Sequence, residues 1–224
     1  MLAIQSLAVD PFDSNEDEIF LVSASSDPQI RRWKIRLDGW EKILEDRVDS
    51  AGHDQYTILE HDTTVYKLLF HDDECEADLY TASGDGTAKC LKRLTNFKAH
   101  ETYKHGGHVR AVAITDEWLI TAGRDEDIKI WDRFYHKLYA TLQGHFDEVT
   151  DLVVFPGTVC SQVCSVSLDG TVRSWSLWKS NIDALQKEQQ EEAEGKGKEE
   201  EAATGQTAMT ADEEEELSAL MDEI

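Results

Sequence analysis

Cysteine is scarce in this chain, basic residues are outnumbered by acidic ones, and no apolar run is long enough to span a bilayer. Each absence excludes something. Four cysteines in 224 residues (Cys75, Cys90, Cys160 and Cys164) are too few for a disulfide scaffold. Cys160 and Cys164 lie in an apolar, strand-like stretch with no histidine or second cysteine pair beside them. Buried reduced thiols are therefore the simpler reading than a zinc site, and no metal is expected. The first residues, MLAIQSLAVDPFD, carry no basic n-region, and nothing approaches the ~20 apolar residues of a membrane span. The expectation is a soluble protein, cytoplasmic or nuclear, with no membrane contact. With 22 Lys and Arg against 46 Asp and Glu, the formal net charge is -24. A field of that sign repels nucleic-acid phosphates and favours proteins with basic surfaces, so nucleic acid is not an expected partner.

The acidity is unevenly placed. Aromatic and β-branched residues are plentiful up to Leu177 and nearly vanish afterwards. From Trp178 to Ile224 there are 4 Lys and no Arg against 15 Asp and Glu. Residues 1–177 therefore read as the folded part and 178–224 as an acidic, mostly disordered tail, with a fraying helix after Ser180. At the far end Thr210 and Glu213 make a capping box, and Leu217, Leu220, Met221 and Ile224 fall at i, i+3, i+4 and i+7. A short amphipathic helix over 211–224 would present those four to a basic or grooved partner. A solubilising tail with chance periodicity is the alternative.

What is present is repetition. Ser23–Ile35 (SASSDPQIRRWKI), Thr81–Arg93 (TASGDGTAKCLKR), Thr121–Arg133 (TAGRDEDIKIWDR) and Ser165–Leu177 (SVSLDGTVRSWSL) align without gaps. Each opens on Ser or Thr and has Asp four positions later (Asp27, Asp85, Asp125, Asp169). Three have Trp six positions further on (Trp33, Trp131, Trp175), where the second has Leu91. Upstream of three segments a histidine (His61, His105, His145) stands four residues before a valine that opens an alternating apolar run. Those valines, Val65, Val109 and Val149, are 44 and 40 residues apart. Runs such as VYKLLF and VTDLVVF have the period of strands, and DGT and GDGT are tight turns.

The pattern Gly144-His145…Ser165…Asp169…Trp175, in phase with three others, resembles the WD-repeat (tryptophan–aspartate repeat) family from about Ile4 to Leu177. The resemblance implies an all-β fold: a β-propeller of four-stranded antiparallel blades, here four repeats at about 4–35, 56–93, 98–133 and 138–177. It also implies that His, Ser/Thr, Asp and Trp of each repeat form a buried hydrogen-bonded tetrad. Ser, His and Asp are the members of a hydrolase triad as well, but a triad occurs once, with an oxyanion hole beside it. This set recurs with fixed spacing. The tetrad members Ser23, Asp27, Trp33, His61, Thr81, Asp85, His105, Thr121, Asp125, Trp131, His145, Ser165, Asp169 and Trp175 are thus read as structural, with no catalytic residue and no cofactor.

Several places depart from the pattern. Repeat one has no histidine, and repeat two has Leu91 for Trp and so lacks a donor. His108 reads as a loop residue. Between Ile35 and His61 about eighteen surplus residues include Trp40, Ile43, Leu44 and Val48, spaced as a short amphipathic helix, with Trp40 a candidate partner contact. Outer strands are expected near Tyr56–Leu59, around Leu91–Phe97 and at Lys137–Leu142. Four blades leave an incomplete ring with two open flanks. A chain that is part of a longer one, self-association through the open blade edges, and a small closed ring are the three resolutions, and ring closure favours the first. The functional expectation is a non-catalytic protein–protein interaction scaffold of a multiprotein complex. The alternative is a substrate receptor of a cullin-type ubiquitin ligase, which would need a Trp-Asp-x-Arg box. Trp33-Lys34-Ile35-Arg36 and Trp131-Asp132-Arg133 each match that box imperfectly. The acidic stretch DPFDSNEDE fails the spacing of a calcium loop.

Overall fold

The structure, a computed structural model, describes residues 3–11, 14–15, 17–48, 54–55, 57–73, 76–155 and 161–191. Cys75, Cys160, Leu217, Leu220, Met221, Ile224 and the expected 211–224 helix lie outside the described residues.

Alternation of apolar and polar residues places every second side chain on one face of a strand, and the turn residues between the runs reverse the chain. The first sheet contains β1 (Ile4–Val9), β2 (Glu18–Ser25) and β3 (Gln29–Arg36), followed by β4 (Gly39–Lys42). Two short strands, β5 (Glu45–Val48) and β6 (Asp54–Gln55), pair separately. The next strand, β7 (Ile58–Leu59), returns to β3, so β4 and β7 share its outer edge. The second sheet runs β8 (Val65–Asp73), β9 (Glu76–Ser83), β10 (Thr87–Lys92), β11 (Lys98–Lys104). The third runs β12 (Val109–Ile114), β13 (Trp118–Gly123), β14 (Ile128–Asp132), β15 (Lys137–Leu142). The fourth has three strands, β16 (Val149–Phe155), β17 (Gln162–Ser167) and β18 (Val172–Ser176). All pairings are antiparallel, and the register slips at the same place in each first hairpin: at Ile4/Ser6, Val65/Lys67, Val109/Ala111 and Val149/Asp151. Such a bulge sharpens the local twist, and its repetition makes the four sheets copies of one blade.

Blades pack through their innermost strands, β1 on β8, β8 on β12 and β12 on β16. Between the first and second blades Val22, Ala24, Ile30 and Ile58 meet Leu68, Leu79, Leu91 and Phe97. Between the second and third, Tyr80, Ala82 and Cys90 meet Val112, Leu119 and Trp131. The result is the expected all-β propeller array with an open ring.

The expected helix in the surplus segment of repeat one does not form. Leu37 and Asp38 make a two-residue turn, Gly39 pairs with Arg36 and Trp40 with Ile35. Spacing suited to a helix face loses here to the unpaired edge of β3, which offers ladder hydrogen bonds and an indole, Trp33, whose ring centroid lies 5.5 Å from that of Trp40. The outer strand of the second blade also begins later than expected. Arg93–Thr95 form a 3-10 turn, and Asn96 and Phe97 take φ of 55° and 54° before β11 starts at Lys98. Phe97 is buried between the blades instead of lying on a strand.

Two compact units divide the chain, Met1–Ile182 and Asp183–Ile224. The first unit extends past Leu177 to Ile182, which is fully buried.

Candidate functional site

The second, third and fourth repeats each bring their polar set together. In the third blade, His105 Nε2 lies 2.7 Å from Asp125 Oδ1 and Nδ1 lies 2.8 Å from Thr121 Oγ1, which accepts from Trp131 Nε1 at 2.8 Å. In the fourth, His145 Nδ1 is 2.9 Å from Asp169 Oδ2 and Nε2 is 2.7 Å from Ser165 Oγ, with Trp175 Nε1 donating to that hydroxyl at 2.9 Å. In the second, His61 spans Asp85 and Thr81 at 2.7 Å each, and Leu91 fills the indole's place, fully buried but donating nothing. The three histidines are 3–5% exposed. One proton arrangement satisfies each full set: the indole donates to the hydroxyl, the hydroxyl to one imidazole nitrogen, and the other ring N–H to the carboxylate.

Repeat one reaches a comparable end by other means. Trp33 Nε1 donates to Ser23 Oγ at 2.7 Å, while Asp27 accepts from Ser25 Oγ at 2.7 Å and from Arg31 Nη2 at 2.5 Å. Arg31 occupies a position that the repeat alignment leaves unremarked. Four residues after each Asp stands a basic residue: Arg31, Lys89, Lys129 and Arg173. Lys129 Nζ donates to Asp125 Oδ2 at 2.7 Å and to the His105 carbonyl at 2.6 Å, and Lys89 donates to the Glu60 carbonyl. The D-x₃-K/R spacing was visible in the sequence and would have found them.

These contacts set the electrostatics. The Arg31 guanidinium holds the Asp27 carboxyl down to about 2. Burial pushes the Asp85 carboxyl up, but hydrogen bonds from His61 and Thr87 outweigh it and leave the group well below the usual range. Asp125 is lowered in the same way, burial being outweighed by His105 and Lys129. At Asp169 the Thr171 hydroxyl is the largest influence, with His145 behind it, and the carboxyl is again lowered. All four sets favour ionised carboxylates in place, with both faces of each carboxylate engaged. Hydroxyls that already accept from an indole and contact an imidazole, and that are buried, have no access to a substrate. Among the described residues no group of three His, Cys, Asp or Glu side chains is arranged to hold a metal ion.

Other sequence candidates fall in different places. Trp40 is 72% exposed, on the outer strand of the first blade. His108 is exposed in a loop, and its carbonyl accepts from the Arg124 N–H. Arg36 is paired with Glu18 at 2.7 Å and Glu41 at 3.3 Å. Arg133 donates to the carbonyls of Thr115 and Asp116 and to the Tyr80 hydroxyl, while Asp132 Oδ1 accepts from the N–H groups of Phe134 and Tyr135. Asp10, read from sequence as part of an acidic loop, is buried and paired with Arg93 of the second blade, tying two blades together. A concavity of about 430 Å³, lined by Tyr80, Lys92, His100, Tyr103, Arg133 and Phe134 among others, opens between the second and third blades.

The family model for the WD domain, G-beta repeat, matches residues 91–132 and 136–176. This chain is a WD-repeat protein. The first match begins at the end of the third strand of the second blade and the second just before the outer strand of the third blade; each ends in the third strand of the following blade and so takes in one outer strand and one complete His–Ser/Thr–Asp–Trp set. An uncharacterized WD repeat-containing protein of Schizosaccharomyces pombe is 29% identical over 156 residues, 69% of this chain and 38% of that protein. Nuclear distribution protein nudF of Aspergillus niger is 24% identical over 158 residues, 70% of this chain and 32% of its own. Human pre-mRNA-processing factor 19 is 36% identical over 59 residues, 26% of this chain and 11% of that one. The WD-repeat chain thus spans less than two fifths of these curated relatives. Among solved structures, the computationally designed Ika4 protein superposes with a TM-score of 0.56 at 25% identity, over 79% of this chain and 92% of that one. The structure of U3-55K superposes with a TM-score of 0.59 at 20% identity, over 79% of this chain and 50% of that one.

Proposed function

We propose that this WD-repeat chain is a non-catalytic protein–protein interaction scaffold, cytoplasmic or nuclear, whose partners carry basic surfaces. The observation that carries this reading is the complete engagement of the repeated polar sets. Every hydroxyl, imidazole and carboxylate that resembles a catalytic group is tied to its neighbours within one blade. We assign the fourteen tetrad residues a structural role on that ground. What remains for recognition is the rim, where loops and an outer strand held by rigid sheets present large apolar side chains: in the loops Phe134 is 81% exposed and Phe146 80%, and on β4 Trp40 is 72% exposed. The net charge of -24 supplies the preference for basic partners and acts against nucleic acid. The acidic terminus with Leu217, Leu220, Met221 and Ile224 is a second proposed contact, one that folds on its partner. A role as a cullin-type ligase receptor has less behind it, because Arg36 and Arg133, the residues such a box would need free, are engaged, Arg36 within its own blade and Arg133 both within its blade and on Tyr80 of the second.

The test is retention of cell proteins on the immobilised full chain, quantified at low and high salt. A stoichiometric set of basic proteins, retained at low salt and released as salt screens the field, is expected. A monodisperse chain that retains nothing above bare resin would overturn the reading. So would turnover of a substrate that is lost on replacing His105 or His145.

A further inference from the structure

Successive junctions within the chain show how one blade accepts the next. Call the side of a blade that carries the Ser/Thr hydroxyl its front. The front of the second blade, with Leu68 and Leu79 beside Thr81, packs on Val22, Ala24 and Ile30 from the reverse of the first. The front of the third, with Val112, Leu119 and Trp131 beside Thr121, packs on Tyr80, Ala82 and Ala88 from the reverse of the second. The fourth blade follows the same rule on the third: Leu152, Val163 and Trp175 are buried on its front, and Ile120 and Ile128 on the reverse of the third.

Among the described residues two sides are left without a neighbour, and they are of opposite kinds. One is the front of the first blade. Leu68, Val112 and Leu152, the residues that face Thr81, Thr121 and Ser165 from the innermost strands, are 3%, 1% and 4% exposed, whereas Leu7, at the same position facing Ser23, is 55% exposed. Val9, Ile19 and Ile35 share that open side. The other is the reverse of the fourth blade. In the third blade its positions hold Ala113, Ala122 and Ile128, none more than 3% exposed. In the fourth they hold Val153, Val166 and Val172, which are 50%, 36% and 70% exposed, with Phe155 at 54%. Apolar side chains at positions that every internal junction buries mark a junction that one copy of the chain leaves unmade.

We infer that two copies join head to tail, the reverse of the fourth blade in each seated on the front of the first blade in the other, closing a ring of eight blades. The contact continues the internal junction: the same strand positions, the same residue classes, and a front meeting a reverse. Each junction is heterologous, and in the two-copy ring each copy offers its one front and its one reverse to the other, so that no side is left open. Each copy carries a charge of -24, so the copies repel at low salt and the ring tightens as salt rises, the opposite of the salt response of basic partners.

Native mass spectrometry and sedimentation of the full chain test this. The expected mass is twice the 25.4 kDa of one chain, with the dimer favoured at higher salt. Val9→Glu and Val153→Glu, at exposed positions that leave each blade's interior untouched, should each abolish the dimer while circular dichroism stays unchanged. Mixing the two variants should restore a one-to-one dimer, because one of the two junctions then pairs two unaltered sides. A mass of one chain at all concentrations and salts overturns the inference. So does a dimer that survives Val153→Glu, which would place front against front, or an open ladder of higher species, which would mean that two copies do not close. A single-chain mass with salt-sensitive retention of basic proteins would leave the scaffold reading standing and remove only this one.

Discussion

Thr81 and Thr121 occupy the same position in adjacent blades, yet only Thr121 accepts from a buried indole. Thr121 Oγ1 meets both His105 Nδ1 and Trp131 Nε1, each at 2.8 Å. Thr81 Oγ1 meets His61 Nε2 at 2.7 Å and the Lys89 backbone carbonyl at a longer 3.3 Å, and it has no indole, since Leu91 stands in its place. Replacing either threonine by valine keeps the shape and the strand preference but removes the hydroxyl. A buried polar group left without its partner costs about 1–3 kcal/mol. Thr121→Val strands two such groups and should cost about 2–5 kcal/mol, whereas Thr81→Val strands one and should cost about 1–3 kcal/mol. The difference, about 1–2 kcal/mol, is the contribution of the indole's bond. Urea unfolding followed by both tryptophan fluorescence and circular dichroism reads it, the two probes together showing whether the blades unfold as one unit. Equal losses, or a larger loss at Thr81, would refute the claim that the hydroxyl is the hub of the set.

Three further outcomes follow from the same geometry. Asp27, Asp85, Asp125 and Asp169 are all held below the usual carboxylate range, Asp27 at about 2. A lowered folded-state value contributes stability that is complete above the unfolded value near 4 and is lost as pH falls toward 2. Melting temperature should therefore be level from pH 5 to 7 and drop between pH 4 and 2, and a level profile down to pH 2 would contradict the pairing. A Cβ at Gly123 would sit 1.8 Å from the His108 carbonyl oxygen, whereas one at Gly39 would meet nothing within 4 Å. Gly123→Ala should destabilise by roughly 1–3 kcal/mol and Gly39→Ala by less than about 0.5, checked by the same denaturation assay. Burial pushes the Cys90 thiol up, so it should resist thiol-specific reagents at pH 8 until the protein unfolds; prompt labelling in the native state would place it elsewhere.

The parts of the fold that were legible in the sequence are those set by local chemistry. Aspartate turns, the Ser/Thr that starts each segment and the strand period of the apolar runs recur in phase, and the hydrogen-bonded sets in the second, third and fourth blades join residues that the spacing had already grouped. Trp40 shows where local reading ends. Its neighbours have helical spacing, but the free edge of β3 decides the outcome, and that edge is known only once β3 is placed. Phe97 is similar: two left-handed residues reverse the chain late, and the ring is buried by a neighbouring blade. The Asp10–Arg93 pair joins residues 83 apart and has no local signature. Arg31, Lys89, Lys129 and Arg173 differ from these. Their four-residue spacing from each Asp recurs in the sequence but lies outside the Ser/Thr, Asp and Trp positions that define the pattern.

The central claim is that the repeated Ser/Thr–His–Asp–Trp sets hold the blades while recognition happens on exposed surfaces. Partner retention per folded molecule tests it most directly, measured for Thr121→Val beside the parent chain at a temperature where both are folded. Unchanged retention is expected from Thr121→Val, with a loss on replacing both Phe134 and Tyr135, which are 81% and 67% exposed, by alanine. Retention that falls in the folded Thr121→Val protein, with the rim variant unaffected, would move the function into the buried sets and contradict the account.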